Sequence, residues 1–569
     1  MKEIENFVFA RNKNLGSSEE IKIARAELAS VYHGINHHHS YLSINCGIKL
    51  SSKLYTDSII ARKQQCGKTK AESLVENILA EKSIEIVMKE MRILSDSPVY
   101  YAIATDASNK GNRKLYPIAV RYFDINHGVR DRIIEFYENS KESSEDIYKQ
   151  IMMCLNDRGL KIEYASSYSA DNASVNYGAN NSVFQKLRLV NHNIIKSNCN
   201  AHVIHNTGRN ACKLLSFDVE NLILKIYAEF SDSAKSVDIL KQCFEDFDMQ
   251  YENVLRHVVT RWLSLFPAVE RIIKIWPAVK EYFINQGERE TNKTIWKFVN
   301  DQKNELNDDL NSNLTLPECY LYFVHHFMFQ LNKSIKSLEK DSVLITEIHA
   351  IMTSLRSCLQ TRLKDKYFGA KVNQSLTHLE QYQRQKFEFE AVTVYQRAIE
   401  YLEKWYDFEN SPFKHFSVIN LQNDDLDYRK FQQAAEAVRI ELDKDALYDE
   451  ISALSTVIEP IQNLDMPLDQ KWVKFFSASD QFNEIPKLVG KILSIPISNA
   501  YVERVFSMMK NVWTDLRNRM RVDIVKAELF TKLNFNMTCE EFEAFLSHPD
   551  QNELLRKAMS NEKYTWKRR

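Results

Sequence analysis

The chain has 569 residues and a formal net charge of -1, too long for one hydrophobic core and without the global basic field that announces a nucleic-acid partner, so two to four domains are expected and any such binding must use local patches. No run of eighteen apolar residues occurs and the mean hydropathy is -0.40, which excludes a membrane-spanning helix. Nine cysteines without a Cys-x-x-Cys pair, and an N-terminus (Met-Lys-Glu-Ile-Glu-Asn) with no signal-peptide core, read as reduced thiols in the cytosol or nucleus.

Residues 1–95 have helical patterning. Ser17-Ser18-Glu19-Glu20 has the form of a capping box ahead of Ile21, Ala24, Leu28 and Val31. His37-His38-His39 invites a metal reading, but consecutive histidines do not converge on one tetrahedral ion, and the Cys/His spacing of a zinc finger is absent. A structural or surface role is therefore expected for the run. Arg62, Lys63, Lys68 and Lys70 form a modest basic segment, and solvated charge is the commoner use of such a segment than phosphate binding.

The period changes near residue 98. Val99–Thr105 reads as a buried strand ending at Asp106. A turn at Asn109–Asn112 leads into a second strand over Leu115–Phe123, where Pro117 suggests a sheet edge. Asn126-His-Gly128 turns the chain into a third strand, Val129–Phe136, so an antiparallel meander is expected. A helix capped at Ser143 follows, then a fourth strand over 161–170 ending at Asp171, a helix over Asn180–Leu189, a short fifth strand over Ile194–Cys199 and a helix from Ala201. The order βββαβαβα is that of an RNase H-like fold, in which the first and fourth strands lie side by side.

Scarce glycine (12) and proline (11) agree with the helical patterns that fill 217–490, enough chain for at least one large helical domain. Ser411-Pro-Phe-Lys and Asn423-Asp-Asp-Leu-Asp are the expected loops within it. Near the C-terminus, Val502, Val505, Phe506 and Met509 give a helix after Pro496 an apolar face, with Ser498 as its expected cap. Glu503 sits beside that face, where a carboxylate is costly to bury without a cation. Taken alone, it reads as a surface residue paired with Arg504 or Lys510.

Either Asp106 or Asp171 alone reads as a strand-end turn residue. Together on adjacent strands they repel unless a divalent cation neutralises them, and hard oxygen ligands of this kind suit the Mg²⁺ ions of a two-metal phosphoryl-transfer site. A third carboxylate from a helix completes such a shell, and Glu503 is the candidate.

The segments Thr105-Asp106, Ala170-Asp171-Asn172-Ala173, Asn198-Cys199-Asn-Ala-His202, Thr260-Arg261-Trp262 and Ser498-Asn-Ala-Tyr-Val-Glu503-Arg504-Val-Phe506-Ser507 resemble the hAT (hobo, Activator, Tam3) superfamily of DNA transposases. The resemblance covers about residues 95–545, and the last block is its most specific part. It implies an α+β protein with an RNase H-like core interrupted by a helical insertion: an N-terminal helical region over 1–95, core over 96–216, insertion over 217–490, the end of the core with a C-terminal dimerisation region over 491–548, and a tail over 549–569 whose Trp566-Lys-Arg-Arg569 could serve nuclear import. It makes Asp106, Asp171 and Glu503 the catalytic, metal-binding triad, with Mg²⁺ or Mn²⁺ as cofactor and no small-molecule cofactor. It places Cys199, His202, Asn172 and Arg504 near the active site, and makes Arg261 and Trp262 a DNA-handling pair whose aromatic stacks on or wedges beside a base.

From the residues themselves, Cys199 and His202 are too few for a zinc site, and Trp262 between apolar neighbours can equally pack in the helical domain. The family's Trp two positions after the first Asp is replaced by Ser108, and residues 1–95 hold no paired ligands for the BED zinc finger that begins many relatives. Two functions follow as expectations: a nuclear cut-and-paste DNA transposase acting as a homodimer or larger homo-oligomer, or a truncated or domesticated transposable-element product that binds DNA and protein and dimerises without catalysis.

Overall fold

The computed structural model describes residues 18–91, 98–258, 264–300, 314–339, 344–421, 426–478 and 481–564. Ser17, the Thr260-Arg261-Trp262 segment, Asn423–Asp425 and the basic tail at 566–569 lie outside them. Two compact units make up the chain, one from residues 1–198 with 418–569, the other from Cys199–Ser417.

The first unit holds a six-stranded mixed sheet and helices. Its N-terminal helix α1 (Ser18–Asn36) buries Ala24, Leu28, Val31, Tyr32 and Ile35 at helical spacing, and a later helix, α2, spans Ala80–Glu90. The strands are β1 (Tyr101–Thr105), β2 (Ser108–Lys110), β3 (Arg113–Asp124), β4 (Gly128–Glu138), β5 (Ala165–Ser169) and β6 (Ile195–Lys196). β1 pairs antiparallel with β3 and parallel with β5, β5 pairs parallel with β6, and β4 closes the other side against β3. Helix α3 (Ser144–Arg158), capped by the Ser143 hydroxyl, and helix α4 (Val183–Val190), capped by Ser182, connect the strands.

The antiparallel start and parallel finish match the expected strand order, with one added strand. The turn falls at Gly111, whose φ of 61° needs glycine's freedom, and leaves Ser108–Lys110 free to pair with Leu115–Arg113 as β2. Pro117 does not mark an edge, because β3 pairs on both sides. It sits where the ladder passes from β1, ending at Thr105↔Ile118, to β2, starting at Ser108↔Leu115, and its carbonyl accepts the Thr105 hydroxyl at 2.8 Å. A missing N–H at such a junction interrupts the ladder little. The fourth strand is shorter than the expected 161–170, since Ile162–Tyr164 forms a 3-10 turn before β5.

Returning from residue 418, the chain adds α5 (Glu484–Leu493), α6 (Ala500–Val512), α7 (Val522–Phe535) and α8 (Cys539–Ser547) to the same unit. α7 is buried nearly all round, packing against α2 and β4. The Asn534 amide covers the edge of β4, accepting the Ile133 N–H at 3.0 Å and donating to the Ile133 carbonyl at 2.9 Å. An exposed edge strand is a template for wrong pairing, and this amide occupies it.

Among the described residues, the regular elements of the second unit are all helices. Its longest helices, Leu316–Leu338 and Gln381–Trp405, meet through Phe323, Phe387 and Tyr395, with rings edge to face. Thr315 and Glu318 form a full capping box. Burial works to raise the Glu318 pKa, but Lys280, the Thr315 N–H and the Trp276 indole outweigh it and hold the carboxyl below its ordinary value. Among the described residues no helix is long and apolar enough to cross a membrane, and all nine cysteines are free thiols.

Candidate active site

Asp106 and Asp171 owe their placement to strand register. The β1–β5 ladder pairs Ile103 with Tyr168 and Ala104 with Ser169. Each aspartate stands two residues beyond its member of that last pair, so the two leave the sheet level with one another on parallel neighbours spaced about 4.8 Å apart. Both are partly exposed, at the ends of strands whose own residues are buried.

Local bonds orient the two carboxylates. Asp106 Oδ1 accepts the Ala107 N–H at 2.8 Å. Asp171 Oδ1 accepts the Ala173 N–H at 3.2 Å and the Asn176 amide at 2.6 Å, while Asn176 in turn accepts the buried Tyr168 hydroxyl at 2.9 Å. The Tyr177 hydroxyl bridges the same turn, donating to the Tyr168 carbonyl and accepting the Ala170 N–H. Burial, with Tyr177 and the two aspartates nearby, holds the Tyr168 phenol well above its ordinary pKa, so it remains a donor. Asn172 accepts the Asn198 amide at 3.0 Å.

Glu503 reaches this end of the sheet through the segment before its helix. Ser494 Oγ bonds Ser166 Oγ of β5 at 2.7 Å, and Ser197, just after β6, donates to the Pro496 carbonyl at 2.5 Å. The buried Asn499 amide donates to the Thr105 carbonyl at 3.1 Å, the last peptide before Asp106. The Glu503 N–H bonds the Asn499 carbonyl at 3.1 Å, one helical turn on. Thus the residue that opens α6 is fastened to the end of β1, and Glu503 stands a turn away from that fastening, partly exposed. The cap position is Asn499 rather than Ser498, whose hydroxyl accepts the Ala500 N–H at 3.4 Å. Val502, Val505, Phe506, Met509 and Val512 form the buried face of α6, with Glu503 at its border and Arg504 exposed.

Of the remaining sequence candidates, Cys199 is buried at the cap position of the helix Asn200–Cys212 and His202 lies in that helix's first turn, both in the second unit. Arg261 and Trp262 are outside the described residues. The three lysines of the basic segment are paired locally: Lys63 with Glu19, Lys70 with the buried Glu27 at 2.6 Å, and Lys68 with Glu72 at 3.7 Å. Asn176 and the tie from Asn499 to Thr105 escaped sequence reading, because each depends on a turn or a crossing that no local pattern encodes.

The C-terminal part of this unit has a recognisable relative. Residues 455–535 match the model of the hAT family C-terminal dimerisation region, a stretch that includes α5, α6 and α7. The match covers that region alone; it supports a hAT-family transposase or a protein derived from one, and the matched region points to self-association. No curated protein matches the chain significantly.

Proposed function

We propose that the first unit is an RNase H-like core with a DDE triad of Asp106, Asp171 and Glu503, and that it cleaves and transfers DNA strands as a nuclear cut-and-paste transposase does. The observation that carries the reading is the level placement of Asp106 and Asp171 on adjacent parallel strand ends, with the Asn499 amide fastening the Glu503 helix to the first of them. Partly exposed carboxylates are a hard, anionic donor set that fits Mg²⁺ or Mn²⁺, and Asp106, Asp171 and Glu503 would hold the ions. Bound there, divalent cations activate the attacking oxygen and stabilise the leaving one. The protein's own share is orientation: Asn176 and the Ala173 N–H fix Asp171, and the Ala107 N–H fixes Asp106.

A second reading rests on the family match itself, which covers the dimerisation region: a domesticated protein that dimerises and binds DNA or protein without cutting. One experiment separates the two. Purified full-length protein is incubated with nicked and branched DNA in Mn²⁺, beside Asp171→Asn. Cleavage by the parent that is lost in the variant supports the triad. Absence of cleavage by a folded, dimeric parent, with DNA binding unchanged by the substitution, supports the second reading.

A further inference from the structure

The first histidine of the run stands beside two groups that its own spacing does not reveal. His37 and His38 do not point to one place, but His33 and His37, one helical turn apart, do. Their ring centroids are 4.4 Å apart at the C-terminal end of α1. Cys539, 506 positions from His33 along the chain, opens α8 directly against them: its Sγ lies 3.5 Å from His33 Nδ1 and 3.8 Å from His37 Nε2. All three ligand atoms lie within 4.8 Å of one another.

These distances have a specific meaning. Zinc bonds nitrogen at about 2.0–2.1 Å and thiolate sulfur at about 2.3 Å, so a tetrahedral angle separates N and S by about 3.6 Å. The two N···S distances, 3.5 and 3.8 Å, bracket that value.

The backbone brings a fourth ligand near. His38 has φ of 58°, a left-handed residue that reverses the chain, and the His39 N–H returns to the Gly34 carbonyl at 2.7 Å. The His39 ring therefore lies 5.4 Å from that of His33 and 6.1 Å from that of His37. His38 faces away, its Nε2 3.1 Å from Lys532 Nζ. Asn36 points its amide towards the sulfur at 4.0 Å, a position from which it can orient a thiolate. His33 and His37 are exposed, so a metal can enter from solvent.

We infer that His33, His37 and Cys539 bind one zinc ion, with His39 or water in the fourth position, as a clasp between α1 and α8 outside the carboxylate site. Binding releases the Cys539 thiol proton to solvent and leaves a Zn–S bond across two segments from opposite ends of the chain. The clasp reinforces a joint that Tyr32 already makes, stacked on Phe542 at 3.8 Å and bonded to the Met537 carbonyl at 2.8 Å.

The test uses full-length protein stripped with a chelator and titrated with Co²⁺, then Zn²⁺. One equivalent of tetrahedral Co²⁺ with a thiolate-to-cobalt charge-transfer band, bleached by one equivalent of Zn²⁺, is expected. The band disappears in Cys539→Ser and persists in Cys46→Ser, an exposed thiol elsewhere, and in Asp171→Asn. His37→Asn, a change at an exposed ring, loses the tetrahedral spectrum even if Cys539→Ser folds poorly. A band that survives Cys539→Ser, or folded parent protein that binds no Co²⁺ with sulfur character, overturns the assignment.

Discussion

Asn499 is the place where stability and the site can be perturbed together. Its amide gives a hydrogen bond to the Thr105 carbonyl at 3.1 Å, and both residues are almost fully buried, at 1% and 2% exposure. Asn499→Leu keeps most of the volume and removes the donor. A buried carbonyl deprived of its partner costs about 1–3 kcal/mol, and the urea midpoint of the full-length protein should fall accordingly with an unchanged m-value. Loss of a helix cap does not explain such a fall, because the Asn499 side chain makes no capping bond. Ser498→Ala, at the weaker 3.4 Å contact, should stay within about 0.5 kcal/mol of the parent. If the triad cuts DNA, loosening the Glu503 helix by roughly an ångström should also lower Mn²⁺-dependent cleavage by about 100-fold, measured on the folded fraction. An unchanged midpoint refutes the tie itself. A lower midpoint with full cleavage refutes its role in placing Glu503.

Three other outcomes follow from the same packing. Asn534→Ala strips both partners from the Ile133 peptide at the β4 edge and should cost about 2–6 kcal/mol by denaturant titration, since two buried groups lose bonds worth about 1–3 kcal/mol each. Lys491 is buried against the Tyr100 ring and donates to the Arg439 carbonyl at 3.0 Å; burial, with Arg439 adding, brings its pKa from 10.5 to about 8. The unfolded chain therefore binds more protons than the folded one between about pH 8 and 10.5, so this group adds stability as pH rises through that window, on the order of 3 kcal/mol. Lys491→Met should remove that rise from the parent-minus-variant difference. Leu516 is 99% exposed within the matched dimerisation region; if it is covered in the dimer, Leu516→Asp forfeits about 1.5–3 kcal/mol and should weaken dimerisation by one to two orders of magnitude in sedimentation equilibrium.

The strand order was legible because short apolar runs and the turn residues that bound them are local. Val99–Thr105 and Val129–Phe136 carry their own pattern, and turn chemistry separates them. Pro117 was misjudged as an edge marker because the rule assumes that a strand keeps one neighbour along its length, whereas β3 changes partner at that residue. Tyr177 and Asn176 escaped because the turn after Asp171 had no periodicity to read. The approach of Cys539 to His33 and His37 was hidden for the same reason. Spacing tests of a metal site compare neighbours in sequence, and this cluster pairs a turn of α1 with the first residue of α8.

These misses share a physical cause, and it also explains the architecture. The chain leaves the first unit at residue 198 and returns at 418, so the last helices must be fixed to strands and helices laid down hundreds of residues earlier. Apolar burial is non-directional and alone would tolerate a slip of α6 along the sheet. Polar side chains aimed at backbone supply the register: Asn499 on Thr105, Ser197 on Pro496, Asn534 on Ile133, Tyr32 on Met537. Each satisfies a group that would be costly to leave unpaired in one alignment only. A carboxylate such as Glu503 can therefore be carried on a returning segment and still be set down a helical turn from the strand end that holds Asp106.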